Sequence, residues 1–564
     1  MACKDTTAFS FNGGITESLP FNIEAARYHV AILRRFRLLL VKAENHIDII
    51  NKERALKTFL VYAEARYVMY LDLLCTVTKG KEAEGEELKE SLPLPPWDVA
   101  MVFHSHMLSP FQYFSDLHLR PRYKSLRAIG LQFPLKRLNS LIFSPQWSDT
   151  DSAKCWKKFF PETPYQLWDR DPQTCEIMNL QGTFDFRCPW CSVSQAIEFT
   201  SWAKMRLDGS DQISCEECVE NFTADRLSAR YFLDDIRTFC DSGSDESSQY
   251  IKAAGMNFHT GDPQLLASTS TLREMNIKTT PLWSYISSER GFDWDGFASA
   301  CQKSHESARK KNITLDLSLL NRIQKAYENL VWPDLGFDLV AAVIRQWGFT
   351  QKITNMYNMD TPEAMIEASK RYHKFMMLMK EPKPGHGMQV PTLDVDLFWH
   401  THQLFPDYYR QWCRYHVGRR INHDDTVGDG DLAKALESTS KAWKDTYGEN
   451  YTKQAIVSSS KGTGNSVATI NPTGPSTIPK KPLFTTQDAK TIRVKTIDFS
   501  KTSSVPKVSK PAQTGEIKDQ KGRSLFVRTI DFSKKPQEPQ KTDSARTSKI
   551  KDQKGKSLFG FNKY

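Results

Sequence analysis

Apolar residues recur every three or four positions in the first part of this chain, which is the spacing of one helix face. Residues 21–78 follow this pattern throughout, and neither Pro nor Gly interrupts residues 22–78. Asn51 stands near the middle and is a preferred helix N-cap, so the pattern predicts two helices. Residues 79–92 are strongly charged and predict a solvent-exposed loop.

The pattern returns in the second half of the chain. Residues 337–359 predict one helix, and Thr361-Pro362-Glu363 predicts the start of another, with a cap residue, a first-turn Pro and an early acid. Residues 223–239 predict an amphipathic helix between the two halves. From about residue 456 Ser, Thr, Lys, Pro and Gly dominate and no apolar face persists, which indicates disorder.

Two segments of the helical pattern are similar to each other. Residues 96–113 read PWDVAMVFHSHMLSPFQY, and residues 391–409 read PTLDVDLFWHTHQLFPDYY. A shift of 296 positions aligns seven identical residues, which in the first copy are Asp98, Val99, His104, His106, Leu108, Pro110 and Tyr113. Self-similarity of this kind predicts a duplicated module of about three helices.

Each copy carries a His-x-His pair, at His104 and His106 and again at His400 and His402. On a strand the two rings of a pair would share a face, but on a helix they point about 200° apart and cannot chelate one ion together. Helices that are apolar on most sides are buried. We therefore expect these histidines to be core residues bonded to backbone or to Asp and Tyr of their own module, with Asp98 and Asp394 as helix caps; a role as ligands for a metal stays the alternative.

The strongest chemical pattern is a cysteine quartet. Cys188-x2-Cys191 and Cys215-x2-Cys218 are separated by 23 residues. Two such pairs have the spacing of a four-thiolate zinc site, and four protein ligands leave no position for a substrate. The sequence therefore predicts a structural zinc ion as the cofactor.

A second site is predicted in the C-terminal module. His423, Asp424 and Asp425 follow the second His-x-His pair closely and could join His400 and His402 around a divalent ion; a solvated polar loop explains them equally well. We find no phosphate-binding loop and no nucleophile elbow in the sequence.

These observations give a mainly α fold with two related three-helix modules flanking a small zinc-binding α+β insert. The predicted units are a first module at 15–145, the four-cysteine insert at 146–260, a connecting helical or irregular region at 261–330, a second module at 331–452 and a disordered basic tail at 453–564. No apolar run is long enough to cross a membrane, no signal peptide is evident, and we expect the chain in the cytoplasm, the nucleus or both.

The net charge of +10 is concentrated in the tail. Residues 455–564 hold 22 Lys and Arg against 8 Asp and Glu, a net charge of +14, so the remaining 454 residues sum to −4. Within the tail IKDQKGRSLF and TIDFSK each recur 33 residues later, in the first case with one Arg replaced by Lys. Repeated motifs can dock repeatedly on a partner, and a basic tail can also attract nucleic acid.

The segment DVDLFWHTHQLFPDYY, followed by GRRINHDD, resembles the glycine-rich-domain-protein-like family of plants and fungi. PWDVAMVFHSHMLSPFQYF is similar to the N-terminal counterpart in that family, and the CPWC and CEEC pairs resemble the fungal branch. The resemblance implies a central domain of unknown biochemical function. Some plant members carry a glycine-rich or RNA-recognition-like region, but this chain has only 27 Gly and no such motif, so RNA binding does not transfer.

We therefore expect a zinc-containing intracellular scaffold or adaptor that binds protein partners through its helical modules and tail motifs, and that is not an enzyme. Two alternatives remain open. One is a metal-dependent enzyme using His402, His423 and Asp425, and the other is a nucleic-acid-associated regulator acting through the zinc domain and the tail.

Overall fold

Helices form most of the described chain, as the sequence predicts. The computed structural model describes residues 8–10, 16–18, 23–46, 51–81, 85–144, 147–168, 180–209, 211–242, 251–253, 256–257, 261, 282, 285, 294–328, 330–356, 359, 361–380 and 387–452. The helices up to the cysteine insert are α1 Ile23–His46, α2 Lys52–Thr78, α3 Gly85–Ser91, α4 Trp97–Met107, α5 Pro110–Phe114, α6 Lys124–Ala128, α7 Leu135–Leu141 and α8 Thr150–Phe159.

The helices that follow are α9 Phe199–Asp208, α10 Ala224–Ser242, α11 Trp294–Lys310, α12 Leu317–Tyr327, α13 Leu339–Asn355, α14 Pro362–Leu378, α15 Leu393–Gln403, α16 Pro406–Trp412 and α17 Asp429–Tyr447. The described strands form three antiparallel hairpins, which are β1 Ala8–Ser10 with β2 Thr16–Ser18, β3 Thr183–Arg187 with β4 Ser194–Glu198, and β5 Ile213–Ser214 with β6 Asn221–Phe222. The mainly α fold with a small sheet-containing insert is thus confirmed.

The predicted helix starts coincide with real caps. The Asn51 side chain accepts from the backbone N–H of Arg54, and the Thr361 side chain accepts from Ala364 one turn into α14. These bonds satisfy backbone donors that have no partner inside the helix. The predicted loop at 79–92 is wrong in part, because α3 forms there and buries Leu88 against the core.

Both His-x-His segments are helices, as predicted, but their aspartates are not caps. The N-cap residues are Pro96 in α4 and Thr392 in α15, and neither makes a side-chain cap bond. Asp98 and Asp394 lie inside the first turn, where each faces an arginine of the preceding long helix. A buried carboxylate is stabilised more by a guanidinium than by the backbone N–H groups of a helix end, which explains the difference.

The arginine that pairs with Asp98 is Arg66, on α2. Its Nε lies 2.6 Å from Asp98 Oδ2, and both side chains are fully buried. The same guanidinium donates to the carbonyl of Tyr165 at 2.8 Å, and the Tyr165 hydroxyl donates to the carbonyl of Leu94 at 2.9 Å. Arg66 therefore ties α2 to α4 and to the chain beyond α8.

The second half of the chain makes the same set of contacts. Arg371 on α14 lies 2.7 Å from Asp394 Oδ2 and donates to the Tyr451 carbonyl at 2.9 Å. The Tyr451 hydroxyl donates to the Val390 carbonyl at 2.9 Å, and Val390 is offset from Leu94 by the same 296 residues that relate the two His-x-His segments. The two halves thus make matching contacts around their arginines.

The matching contacts also reach further than the sequence repeat. Tyr165 occupies the place of Tyr451, so the contacts of the first module extend past residue 145, where the predicted boundary to the insert lies. A tryptophan lies under each arginine as well, with Trp156 of α8 4.9 Å from Arg66 and Trp443 of α17 5.5 Å from Arg371. Each module thus includes a helix beyond the predicted three.

The insert packs on the long helix α2 through aromatic residues. Trp202 of α9 contacts Trp332 at a ring distance of 5.0 Å, and the Trp332 indole N–H donates to the buried Glu64 of α2 at 3.2 Å. Phe199 stacks on Tyr62 of α2 at 4.6 Å. The cysteine-bearing hairpins are therefore attached to the helical body by a buried surface.

Several predictions fall on residues outside the described ranges. The tail at 453–564 with its 33-residue repeats is one, and much of the connecting region at 261–330 is another, although α11 and α12 are described within it. All described residues lie in one compact unit, Met1–Ile478. Among the described helices, none combines the length and apolar composition that crossing a bilayer requires.

Candidate metal centres

The four predicted cysteines lie on two knuckles of the same design. Cys188 follows β3, and its backbone N–H donates to the Val193 carbonyl while its carbonyl accepts from Ser192. Cys215 follows β5, and its carbonyl likewise accepts from the N–H of Val219. Each hairpin is thus turned so that both cysteines of a pair point to the same side.

The four sulfur atoms have the spacing of a tetrahedral zinc site. Cys188 Sγ lies 3.7 Å from Cys218 Sγ, and Cys191 Sγ lies 3.6 Å from Cys215 Sγ. All four sulfur atoms lie within 4.8 Å of one another. Zinc–sulfur bonds of about 2.3 Å place the corners of a tetrahedron about 3.8 Å apart, so the quartet fits a zinc ion.

The environment of the quartet favours the thiolate at one cysteine and opposes it at another. Cys188 and Cys215 are buried, whereas Cys191 and Cys218 are partly exposed. The pKa of Cys215 is lowered to about 7, mainly because the backbone N–H of Cys218 stabilises the thiolate. Burial raises the pKa of Cys188 to about 12, so deprotonation there requires the charge of a bound cation.

The second histidine of each pair is bonded within its own module. His106 Nδ1 lies 3.0 Å from the Tyr67 hydroxyl, and its Nε2 lies 3.2 Å from Asp116 Oδ2. His402 Nδ1 lies 2.7 Å from the Tyr372 hydroxyl, at the corresponding place on α14. These contacts agree with the prediction of core histidines bonded to Tyr and Asp.

The first histidine of each pair faces another histidine instead. In the first module His104 Nε2 lies 2.8 Å from His29 Nε2 of α1, and His29 Nδ1 lies 2.9 Å from Thr401 Oγ1. Burial lowers the pKa of His104 to about 3, with a further contribution from His400. Both rings of this pair are therefore neutral at physiological pH.

In the second module His400 faces His423, and a carboxylate joins them. The two Nε2 atoms lie 3.0 Å apart, and Asp396 Oδ1 lies 3.1 Å from His400 Nε2 and 3.8 Å from His423 Nε2. Burial opposes the charge of Asp396, but the neighbouring imidazoles outweigh it and hold the pKa of this carboxyl well below its usual range. Within the described chain, the quartet and this triad are the groups whose ligand atoms converge closely enough to hold a metal.

Three of the five residues predicted for a second site lie apart from this convergence. His402 contacts Tyr372, and Asp424 is exposed and accepts from Thr426. Asp425 accepts from Arg345 Nε at 2.9 Å and from Gln346 Nε2 at 3.1 Å. Burial lowers the pKa of His400, whereas the hydrogen bond and charge of Asp396 outweigh burial at His423 and raise its pKa. The charge of Asp425 makes a smaller contribution at both rings, in the raising direction.

The sequence prediction missed Asp396 and His29. Asp396 precedes His400 by four residues, a spacing that puts both on one helix face and could have identified it. His29 has no such local indication, since 75 residues separate it from His104.

Comparisons with known proteins match both copies of the His-x-His segment. A family model described as glycine-rich domain-containing protein-like matches residues 45–116 and 262–411. "Glycine-rich domain-containing protein 1" and "Glycine-rich domain-containing protein 2" of Arabidopsis thaliana are similar at 35% and 34% identity over 127 residues. That alignment covers 22% of this chain and only 15% and 16% of the two plant proteins. No solved structure matches the chain significantly. The comparisons thus show similarity to the glycine-rich domain-containing protein-like family over residues 45–116 and 262–411.

Proposed function

We propose that this protein is an intracellular scaffold whose insert is held in shape by one structural zinc ion. The observation that carries the proposal is the convergence of four thiols from two matching knuckles. Four thiolates complete a tetrahedron, so the zinc contributes to folding and leaves no position for a substrate.

The position of the quartet supports a structural role. Cys188 continues from β3, whose Phe186 contacts Trp202 at a ring distance of 5.2 Å. Trp202 in turn packs on Trp332, which is bonded to Glu64 of the long helix α2. Zinc at the quartet would fix the two hairpins above this aromatic contact and present their outer surface to a partner.

The proposed partners are other proteins, reached through the insert, the helical modules and the repeated tail motifs. The basic tail is the part of the chain through which nucleic acid would be bound, if the protein acts as a regulator. The cytoplasm and the nucleus are the proposed locations, because reduced cysteines are the form in which a quartet binds zinc.

The zinc proposal is tested by metal content. Purified protein should contain one zinc ion that Cys188→Ser removes and that Cys155→Ser, at a partly exposed cysteine away from the quartet, retains. Cys188→Ser should also make the insert sensitive to protease, because zinc-dependent folding is lost. Zinc content that is the same in both variants would contradict the proposal.

The scaffold proposal needs a separate measurement. Proteins crosslinked to the full chain in cells should be recovered in smaller amount with Cys188→Ser, and in unchanged amount with Cys155→Ser. Equal recovery with both variants would show that the insert does not bind partners.

A further inference from the structure

We propose that Asp396, His400 and His423 form a second metal site, which binds a divalent transition-metal cation. This site is separate from the cysteine quartet and does not depend on the scaffold proposal. It uses two residues of the buried helix α15 and one residue from the segment that follows α16.

The distances between the three ligand atoms suit a single ion. Metal–nitrogen and metal–oxygen bonds of about 2.1 Å place ligand atoms about 3.0 Å apart in an octahedron and about 3.4 Å apart in a tetrahedron. The observed separations are 3.0, 3.1 and 3.8 Å. Two of them match an octahedral edge, and the third exceeds that edge by about 0.8 Å. A tetrahedral ion would require each of the three separations to change by about 0.3–0.4 Å.

Hydrogen bonding leaves one oxygen of the cluster unexplained. Asp396 Oδ1 is a buried atom without a hydrogen-bond partner in the described part of the chain, although two imidazoles lie beside it. Buried polar atoms in native proteins nearly always have a hydrogen-bond partner, so an oxygen in this state needs an explanation. A cation between Asp396 and the two rings would give this oxygen a partner.

The tautomer of His423 also supports a metal site. Its Nδ1 lies 2.9 Å from the carbonyl oxygen of Leu108 and must donate to it, because a carbonyl can only accept. The neutral ring then carries its lone pair on Nε2, which faces His400 and Asp396. An imidazole fixed to a backbone carbonyl in this way is the usual arrangement of a metal ligand.

The surroundings of the cluster are polar and ordered. Asp425 is held by Arg345 and Gln346 of α13, and its charge acts on both histidines. Phe349, one turn further along α13, packs on the His400 ring at 4.4 Å and holds it in place.

The first module serves as an internal comparison. His104 corresponds to His400 and also faces a second histidine, His29, at 2.8 Å. Ala100 stands where the second copy has Asp396, so the first pair lacks a carboxylate. The first pair is therefore a hydrogen-bonded pair of neutral core imidazoles. The second copy has two imidazoles and a carboxylate, which together can bind a metal.

The donor set indicates the class of cation. Two imidazoles and one carboxylate suit iron(II), zinc, manganese or cobalt, and they exclude soft cations that require sulfur. Three protein ligands leave one position of a tetrahedron or three of an octahedron for water or a small oxygen ligand. The Asp396 side chain is 17% exposed, and both imidazoles are buried.

Cobalt(II) titration of metal-free protein tests the proposal. Wild type should bind two equivalents, and the Cys188→Ser/Cys215→Ser variant should keep one equivalent with the weak visible absorption of nitrogen and oxygen ligands. Asp396→Asn and His423→Gln should each lose the second equivalent and keep the strongly absorbing sulfur site. His104→Gln, at the position matched to His400, should retain both equivalents.

The helical circular dichroism of each variant shows whether it is folded. His423→Gln is an independent test because His423 lies outside the helices. A wild type that binds only one equivalent would overturn the proposal and leave His400 and His423 as a hydrogen-bonded core pair. A second equivalent that persists in both Asp396→Asn and His423→Gln would overturn it equally. Neither outcome affects the zinc quartet, which has its own equivalent and its own spectrum.

Discussion

Residues of the same type in the two modules do different work because their partners differ. His106 and His402 bond to tyrosines of their own modules, whereas His104 and His400 each face a second histidine. The four are alike in sequence and buried to a similar extent. What distinguishes His400 is the carboxylate four residues earlier, where the first copy has an alanine.

The two matching ion pairs should differ in their contribution to stability. Arg66→Met leaves Asp98 charged in a fully buried place, which should cost about 3–5 kcal/mol. Arg371→Met should cost less, because Asp394 is 16% exposed and keeps its hydrogen bond from Thr392. Thermal unfolding of the two variants checks this, and an equal loss of thermal stability would contradict it.

At the scale of elements, each knuckle places a residue after its second cysteine in the left-handed region. Ser192 has φ of 64° and Val219 has φ of 61°. A β-branched residue such as Val is rarely found there, because its side chain meets the following carbonyl. The turn geometry that directs two sulfur atoms to one ion imposes this conformation, so the backbone of Val219 is strained.

Val219→Gly should therefore stabilise the knuckle. The Val219 side chain is 75% exposed and loses little packing, while relief of the left-handed conformation is worth about 1 kcal/mol. The rate of zinc loss to a chelator should decrease. Val193→Gly is the matched control, since Val193 is also exposed but is not among the residues with positive φ. A faster zinc loss from Val219→Gly than from Val193→Gly would refute the strain argument.

The sequence predicted several individual helices correctly. Asn51, Thr361 and the apolar spacing identified α2, α13, α14 and α15 because caps and periodicity are local properties. One of the helices that the sequence did not predict is α3, a seven-residue helix in a charged segment. Leu88 anchors it to the core, and burial of one side chain by a distant surface is not visible in local sequence.

For the whole molecule, charge separates the tail from the rest. The first 454 residues sum to −4 and the last 110 to +14, so any nucleic-acid affinity should come from the tail. Removing residues 479–564 should abolish salt-dependent binding of single-stranded nucleic acid while the zinc content stays unchanged. Binding that survives this truncation would assign the affinity to the zinc insert or the helical body.

The sequence by itself determined the longest helices of the two modules, the caps Asn51 and Thr361 and the cysteine quartet, since each depends on residues close together in the chain. The family resemblance, carried by the two His-x-His segments, is confirmed by the family match. Tertiary structure alone decided which histidines meet. His104 and His29 are 75 residues apart, and the carbonyl that fixes His423 belongs to Leu108, 315 residues away. Packing of α1 on α4 makes the first contact and packing of one module against the other makes the second, and neither can be read from local spacing.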